Sequence, residues 1–132
     1  MSIKINNVTE IKQDEFKRKL RWVGGEIITD PQADTTLVAH ACSYGKKTFI
    51  HGYHISTTDI GGNTFLIRWL NNGQVKTWEI VFPANGTAVI FEEYIAINER
   101  SHADPQSQLT ITCLKGGAGM YQAAVCIAEE VL

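Results

Sequence analysis

Four histidines, three cysteines and fourteen carboxylates are the residues of this chain that could do chemistry, and their spacing limits what they can share. His51 and His54 stand three apart in the segment FIHGYHIS, whose composition is that of a strand. Strand neighbours alternate faces, so the two imidazoles point apart and share no ion unless Gly52 introduces a bulge. His40 has no partner in sequence, and His102, in the polar loop NERSHADPQSQ, is expected to be solvated. No metal and no cofactor are therefore expected. Cys42, Cys113 and Cys126 are odd in number and show no C-x-x-C spacing, which fits buried free thiols rather than a disulfide framework or a zinc site. Whether Cys113 and Cys126 pair is left open by the sequence. Among the carboxylates, Glu92 and Glu93 are adjacent and diverge on a strand, while Glu99, Asp104, Glu129 and Glu130 fall near loops or the terminus. No pair is marked out for the cleft of about 5–9.5 Å that glycoside hydrolysis uses. No G-x-S-x-G or S-x-x-K motif is present, and the GGAG run at 116–119 leads into a strand-like segment, not a helix. An enzyme built on this chain would have only Glu93, Glu99 and His54 as titratable candidates. The expectation is that the chain is not an enzyme.

The elements that would position such groups are short and β-like. From residue 26 to 132 the apolar period is two. The segments EIITD, TLVAHACS, KTFIHGYHIS, NTFLIRWLN, QVKTWEIVF, TAVIFEEYIAIN, QLTITCL and YQAAVCIAEEV are separated by Gly, Asn, Asp and Pro clusters. Seven to nine strands so spaced predict one all-β domain, an antiparallel β-sandwich or jelly roll. Residues 1–25 differ. QDEFKRKLRWVGG is charged, sets Phe16 and Leu20 four apart with Trp22 and Val23 near that face, and ends in Gly24-Gly25. It reads as a short amphipathic helix closed by glycine, or as an arm that docks on the domain or on a neighbour through Phe16, Leu20 and Trp22.

Asn72-Gly73 marks a tight hairpin, because both residues tolerate the positive φ that such a turn demands. The register it implies sets Leu70 opposite Val75, Trp69 opposite Lys76 and Ile67 opposite Trp78. Phe65, Ile67, Trp69, Trp78, Ile80 and Phe82 then share one face with Lys76 at its rim, which makes both tryptophans core residues rather than a sugar platform. The opposite face reads Leu66, Arg68, Leu70, Val75, Thr77, Glu79 and Val81. So much aliphatic area beside an Arg/Glu pair is expected to meet another surface, either a second copy or a helix over residues 13–23 of the same chain.

Composition narrows the function classes. At 132 residues, 44% hydrophobic and 20% charged, the chain is long enough to bury a core without staples. A net charge of −2 leaves no basic footprint for nucleic acid, and no apolar run approaches the roughly 20 residues of a membrane span. The start, MSIKINNVTEIKQDEF, lacks the apolar block of a signal peptide, so synthesis in the cytoplasm is expected.

The order GKKTFIHGYHIS, NTFLIRW, IVFPANGTAVIF, IAINE and GGAGMYQAAVCIAEE resembles the layout of small all-β virion proteins. These are the capsid decoration proteins and the tail or fibre head domains of bacterial and archaeal viruses. It is also broadly similar to trimeric jelly rolls of the tumour-necrosis-factor and C1q type. The resemblance covers about two-thirds of the chain and carries no catalytic residue. It implies a structural protein that associates with itself, as a homotrimer, and attaches to a larger shell. The alternative is a carbohydrate-binding module that stacks sugars on Trp22, Tyr53 or Tyr94.

Overall fold

The computed structural model describes residues 19–84 and 102–131, and the backbone alone of 89–92. Eight strands follow one another: β1 (Leu20–Thr29), β2 (Thr35–Ala41), β3 (Lys46–Thr57), β4 (Asn63–Asn71), β5 (Gln74–Phe82), β6 (Val89–Glu92), β7 (Gln108–Cys113) and β8 (Met120–Val131). They form two antiparallel sheets with the orders β1-β8-β3-β6 and β2-β7-β4-β5. No helix occurs among the described residues, and none is long and apolar enough to cross a membrane.

The strands alternate apolar and polar residues, and both sheets turn their apolar rows to one core. Ile50, Tyr53 and Ile55 of β3 and Tyr121, Ala123, Val125 and Ile127 of β8 meet Phe65, Ile67 and Trp69 of β4 and Leu109 and Ile111 of β7 in a single buried cluster. Phe65 touches both layers, with its ring 5.0 Å from Phe82 within its sheet and 5.9 Å from Tyr121 of the other. The arrangement is sandwich-like. Removing this area from water is the main favourable term for folding.

Gly24-Gly25 does not close a helix. Leu20 to Thr29 is a strand paired to β8, and its register slips between Gly24 and Ile27. Gly24 has φ of 93°, and a Cβ there would lie 2.8 Å from a methyl of Val38 and 2.9 Å from the Ala123 carbonyl oxygen. Positive φ and close approach serve a bulge as readily as a helix cap, and the pairing with β8 decides between them. Residues 13–18 of the expected helix, Phe16 among them, lie outside the described residues.

The ends of the sheets are tied by polar side chains. At one end the β3–β4 loop is pinned through Asp59, whose carboxylate accepts from the amides of Gly61 and Ala118 and from the Tyr121 hydroxyl at 2.5 Å. Asn63 crosses the same junction, donating to the Lys115 carbonyl and accepting from the Lys115 amide.

Candidate functional site

The β4–β5 hairpin is built as its sequence demands. Asn72 and Gly73 take φ of 51° and 78°, and pairing runs unbroken from Asn71↔Gln74 to Asn63↔Phe82. The turn is held from outside by Asp104. Its two carboxylate oxygens accept from the Asn72 and Gly73 amides, each at 2.8 Å, and its own amide donates to the Leu70 carbonyl. Trp69 is 3% exposed and Trp78 is half-buried against the core, so both indoles face inward and neither forms an open platform.

The other face of the hairpin is open. Val75 and Val81 are 50% and 58% exposed, Arg68, Thr77 and Glu79 are exposed, and Leu66 and Leu70 are half-buried beneath them. Transverse pairs set Leu66 beside Glu79, Arg68 beside Thr77 and Leu70 beside Val75. β7 continues the surface, with Thr112 next to Leu66 and Thr110 next to Arg68. Arg68 and Glu79 are diagonal neighbours, yet among the described residues neither belongs to an ion pair. The result is a strip of aliphatic side chains bordered by hydroxyls and by two charges of opposite sign, neither paired among the described residues. Among the described residues the strip carries no histidine, cysteine or serine, and no group of three or more metal-ligating side chains forms on it.

Groups with chemical potential elsewhere are engaged structurally. Glu129 accepts from Arg21 at 2.9 Å and from the Ser43 amide at 3.3 Å. Burial pushes its carboxyl up, but hydrogen bonds from Ser43 and then Arg21 outweigh that and hold it below the usual value. His40 beside them is held low by burial and then by Arg21, with Glu129 opposing, so at neutral pH it is uncharged. Burial raises the Cys42 and Cys113 thiols, which keeps them protonated and poor nucleophiles. Asp59 is held low by the Tyr121 hydroxyl and the Gly61 and Ala118 amides, an acceptor already filled. All three cysteines are buried and none forms a disulfide, so Cys113 and Cys126 do not pair.

The bulge at Gly52 exists. The β3 register slips between Ile50 and Gly52, so Ile50 and Tyr53 both enter the core, and His51 and His54 both stay out of it. Even so, no group of three or more metal-ligating side chains forms among the described residues. His102 is not solvated as expected: it is half-buried, with its ring 5.7 Å from that of Phe49. Of the three carbohydrate residues, two are described. Trp22 is 46% exposed on β1, Tyr53 is 5% exposed in the core, and Tyr94 lies outside the described residues, as do Glu93 and Glu99. Leu20 and Trp22 sit in β1. A pocket of about 230 Å³ opens beside Ile27, Met120 and Gln122 with hydroxyls of Ser56, Thr57 and Thr58. It is smaller than the roughly 300–1,000 Å³ of typical ligand sites, and Trp22 does not line it.

Two contributors to the open strip escaped the sequence reading. Thr110 and Thr112 extend it because β7 pairs with β4, and nothing local announces that pairing. The Asp104 clamp was foreshadowed by Asp-Pro, a turn signal, but its partner turn lies about thirty residues away in the chain. No protein-family model matches this chain, and no curated protein is similar to it.

Proposed function

We propose that this chain is a non-enzymatic structural module, a jelly roll that associates with copies of itself and decorates or helps build a larger particle. The fold reading is supported by the pairing pattern. β1 pairs with β8, β2 with β7, β3 with β6 and β4 with β5, as in one long antiparallel ribbon. The contacts β3·β8 and β7·β4 are those made when such a ribbon rolls up on itself. The attachment to a particle rests on the resemblance of strand layout to small virion proteins, and a capsid or tail gene beside this one would support it.

The observation that carries self-association is the outward strip Leu66, Arg68, Leu70, Val75, Thr77, Glu79 and Val81, with its exposed valines and its two charges lacking partners among the described residues. Soluble monomers seldom display such apolar strips without using them. Sedimentation velocity over a micromolar concentration series tests the reading. The expected result is a mass above that of the 14.7 kDa chain, rising with concentration. A strict monomer throughout would overturn it.

A further inference from the structure

A sheet edge is where backbone hydrogen bonds run out, and proteins guard edges with bulges, charges or shortness. Two of the four edges here are guarded by irregularities, β1 between Gly24 and Ile27 and β2 between Thr36 and Val38. β5 has nine residues in unbroken register, contains no proline, and among the described residues has β4 as its sole neighbour in the sheet.

The direction of its free backbone groups follows from β4. The carbonyls of Thr64 and Leu70 accept from the Leu114 and Asp104 amides, on the side away from β5. Backbone groups alternate sides along a strand, so the even-numbered residues of β4 and their partners Val75, Thr77, Glu79 and Val81 form the pairs that exchange no hydrogen bonds. The amides and carbonyls of those four β5 residues therefore point out from the edge, while their side chains stand on the open strip.

We propose that β5 is a self-complementary edge: two copies of this chain pair antiparallel along β5 about a two-fold axis at Trp78, joining two sheets into one. The inference rests on the self-association reading and names its contact. Residues opposite one another in a pair share a face, so admissible registers differ by two residues. Centring on Glu79 sets each Glu79 against its own copy. Centring on Thr77 puts Arg68 of both copies in one transverse row and leaves Val81 beyond the partner strand. Centring on Trp78 uses the whole of Gln74–Phe82 and opposes Val75 to Val81 of the second copy and Thr77 to Glu79. The row across the junction then reads Leu66, Glu79, then Thr77 and Arg68 of the second copy. Glu79 and that Arg68 are two strands apart, about 10 Å at the backbone, a gap their side chains close over the threonine. Each charge thus meets across the axis a partner that it does not have among the described residues of its own chain. Leu70, Val75 and the second copy's Val81 line up in the next row, covering the exposed valines. Every outward amide and carbonyl of the four edge residues is satisfied.

The test combines sedimentation velocity of the full chain with variants. Val81→Lys adds a charge to an exposed position. Thr77→Pro removes an amide that points away from β4 and so costs the hairpin no ladder bond. Both are expected to leave far-UV circular dichroism unchanged and to weaken association about tenfold or more, as is Glu79→Arg, while Arg68→Glu with Glu79→Arg recovers it. The double variant Val75→Cys/Val81→Cys should cross-link on mild oxidation. Either cysteine alone should not, because single thiols then sit at opposite ends of the paired strand. A dimer that survives Val81→Lys and Thr77→Pro and fails to cross-link would overturn edge pairing and leave self-association through the strip standing; should Thr77→Pro not fold, Val81→Lys and the cysteine pair decide. A trimer without dimers would likewise overturn the two-fold contact alone. A strict monomer would remove both readings.

Discussion

β2 and β5 are the two borders of one sheet. Around β2 the chain closes ranks. Its ladder is bulged, β1 lies against it so tightly that Gly24 has no room for a side chain beside Val38, and the Cys42 backbone just beyond it exchanges hydrogen bonds with Gln106 and Ser107. Glu129 then gathers Ser43 and Arg21 at the same corner. β5 has a regular ladder, one clamp at its turn, and a row of outward amides and carbonyls. One border of the sheet is irregular and packed against β1, whereas the other is regular and, among the described residues, has β4 as its only neighbour in the sheet. Local stability and openness to a partner are thus properties of edges, set by backbone accounting more than by side-chain hydrophobicity.

The comparison requires that β5, though open at its edge, be fully anchored on its inner face. Ile80 is buried in the core cluster. Ile80→Ala should lose about 2–5 kcal/mol of folding free energy in urea titration, the range for truncating a buried isoleucine. A loss below about 1 kcal/mol would make β5 a loosely docked flap and remove the contrast with β2.

Next in size is the guarded corner. Glu129→Gln should cost about 1–3 kcal/mol at neutral pH, because a mostly buried acceptor loses its charge toward Arg21 and the Ser43 amide. Since the folded carboxyl titrates below its ordinary value of 4.5, its contribution is complete above that value and is lost as pH falls through the depressed one. The gap in melting temperature between the native chain and Glu129→Gln should therefore close on acidification below about pH 4.5. A gap that persisted at low pH would mean that the carboxylate charge is not what ties the corner.

How much of this was legible in sequence follows the range of the interactions. The hairpin register was readable to the residue, because Asn72-Gly73 fixes its own backbone and the flanking strands alternate cleanly. That both tryptophans face inward followed from the same local rule. The second half of the first strand was legible in EIITD, but Leu20 to Gly25 was read as a helix or arm, because Gly24-Gly25 advertises positive φ without saying whether a helix end or a bulge will use it, and the answer lies about one hundred residues away in β8. The H-x-x-H segment was readable only as a condition on Gly52, which the pairing of β3 with β8 then met. The open strip was visible in sequence as a face, whereas its being an edge depends on the order of strands in the sheet, a wholly non-local fact.

Smaller still is the clamp at the turn. Asp104→Ala removes both acceptors of the Asn72 and Gly73 amides at an exposed site, and a loss of about 1–2 kcal/mol is expected. Hydrogen exchange of those two amides should quicken while the amides of β2 are unaffected. Equal acceleration in both strands would show that the sheet opens as a unit, and the two borders would then not be independent.

The smallest effect on folding is the sharpest on the comparison. Val81→Thr on β5 and Thr36→Val on β2 exchange the same two β-branched side chains at exposed positions, and each should shift folding free energy by less than about 0.5 kcal/mol. Their effects on association should differ. Val81→Thr weakens it by thinning the apolar row, whereas Thr36→Val leaves it unchanged, because the irregular ladder between Thr36 and Val38 offers an incoming strand no regular row of amides. If Thr36→Val strengthened association as much as Val81→Thr weakened it, outward apolar area alone would govern self-recognition, and the regular ladder of β5 would lose its special standing.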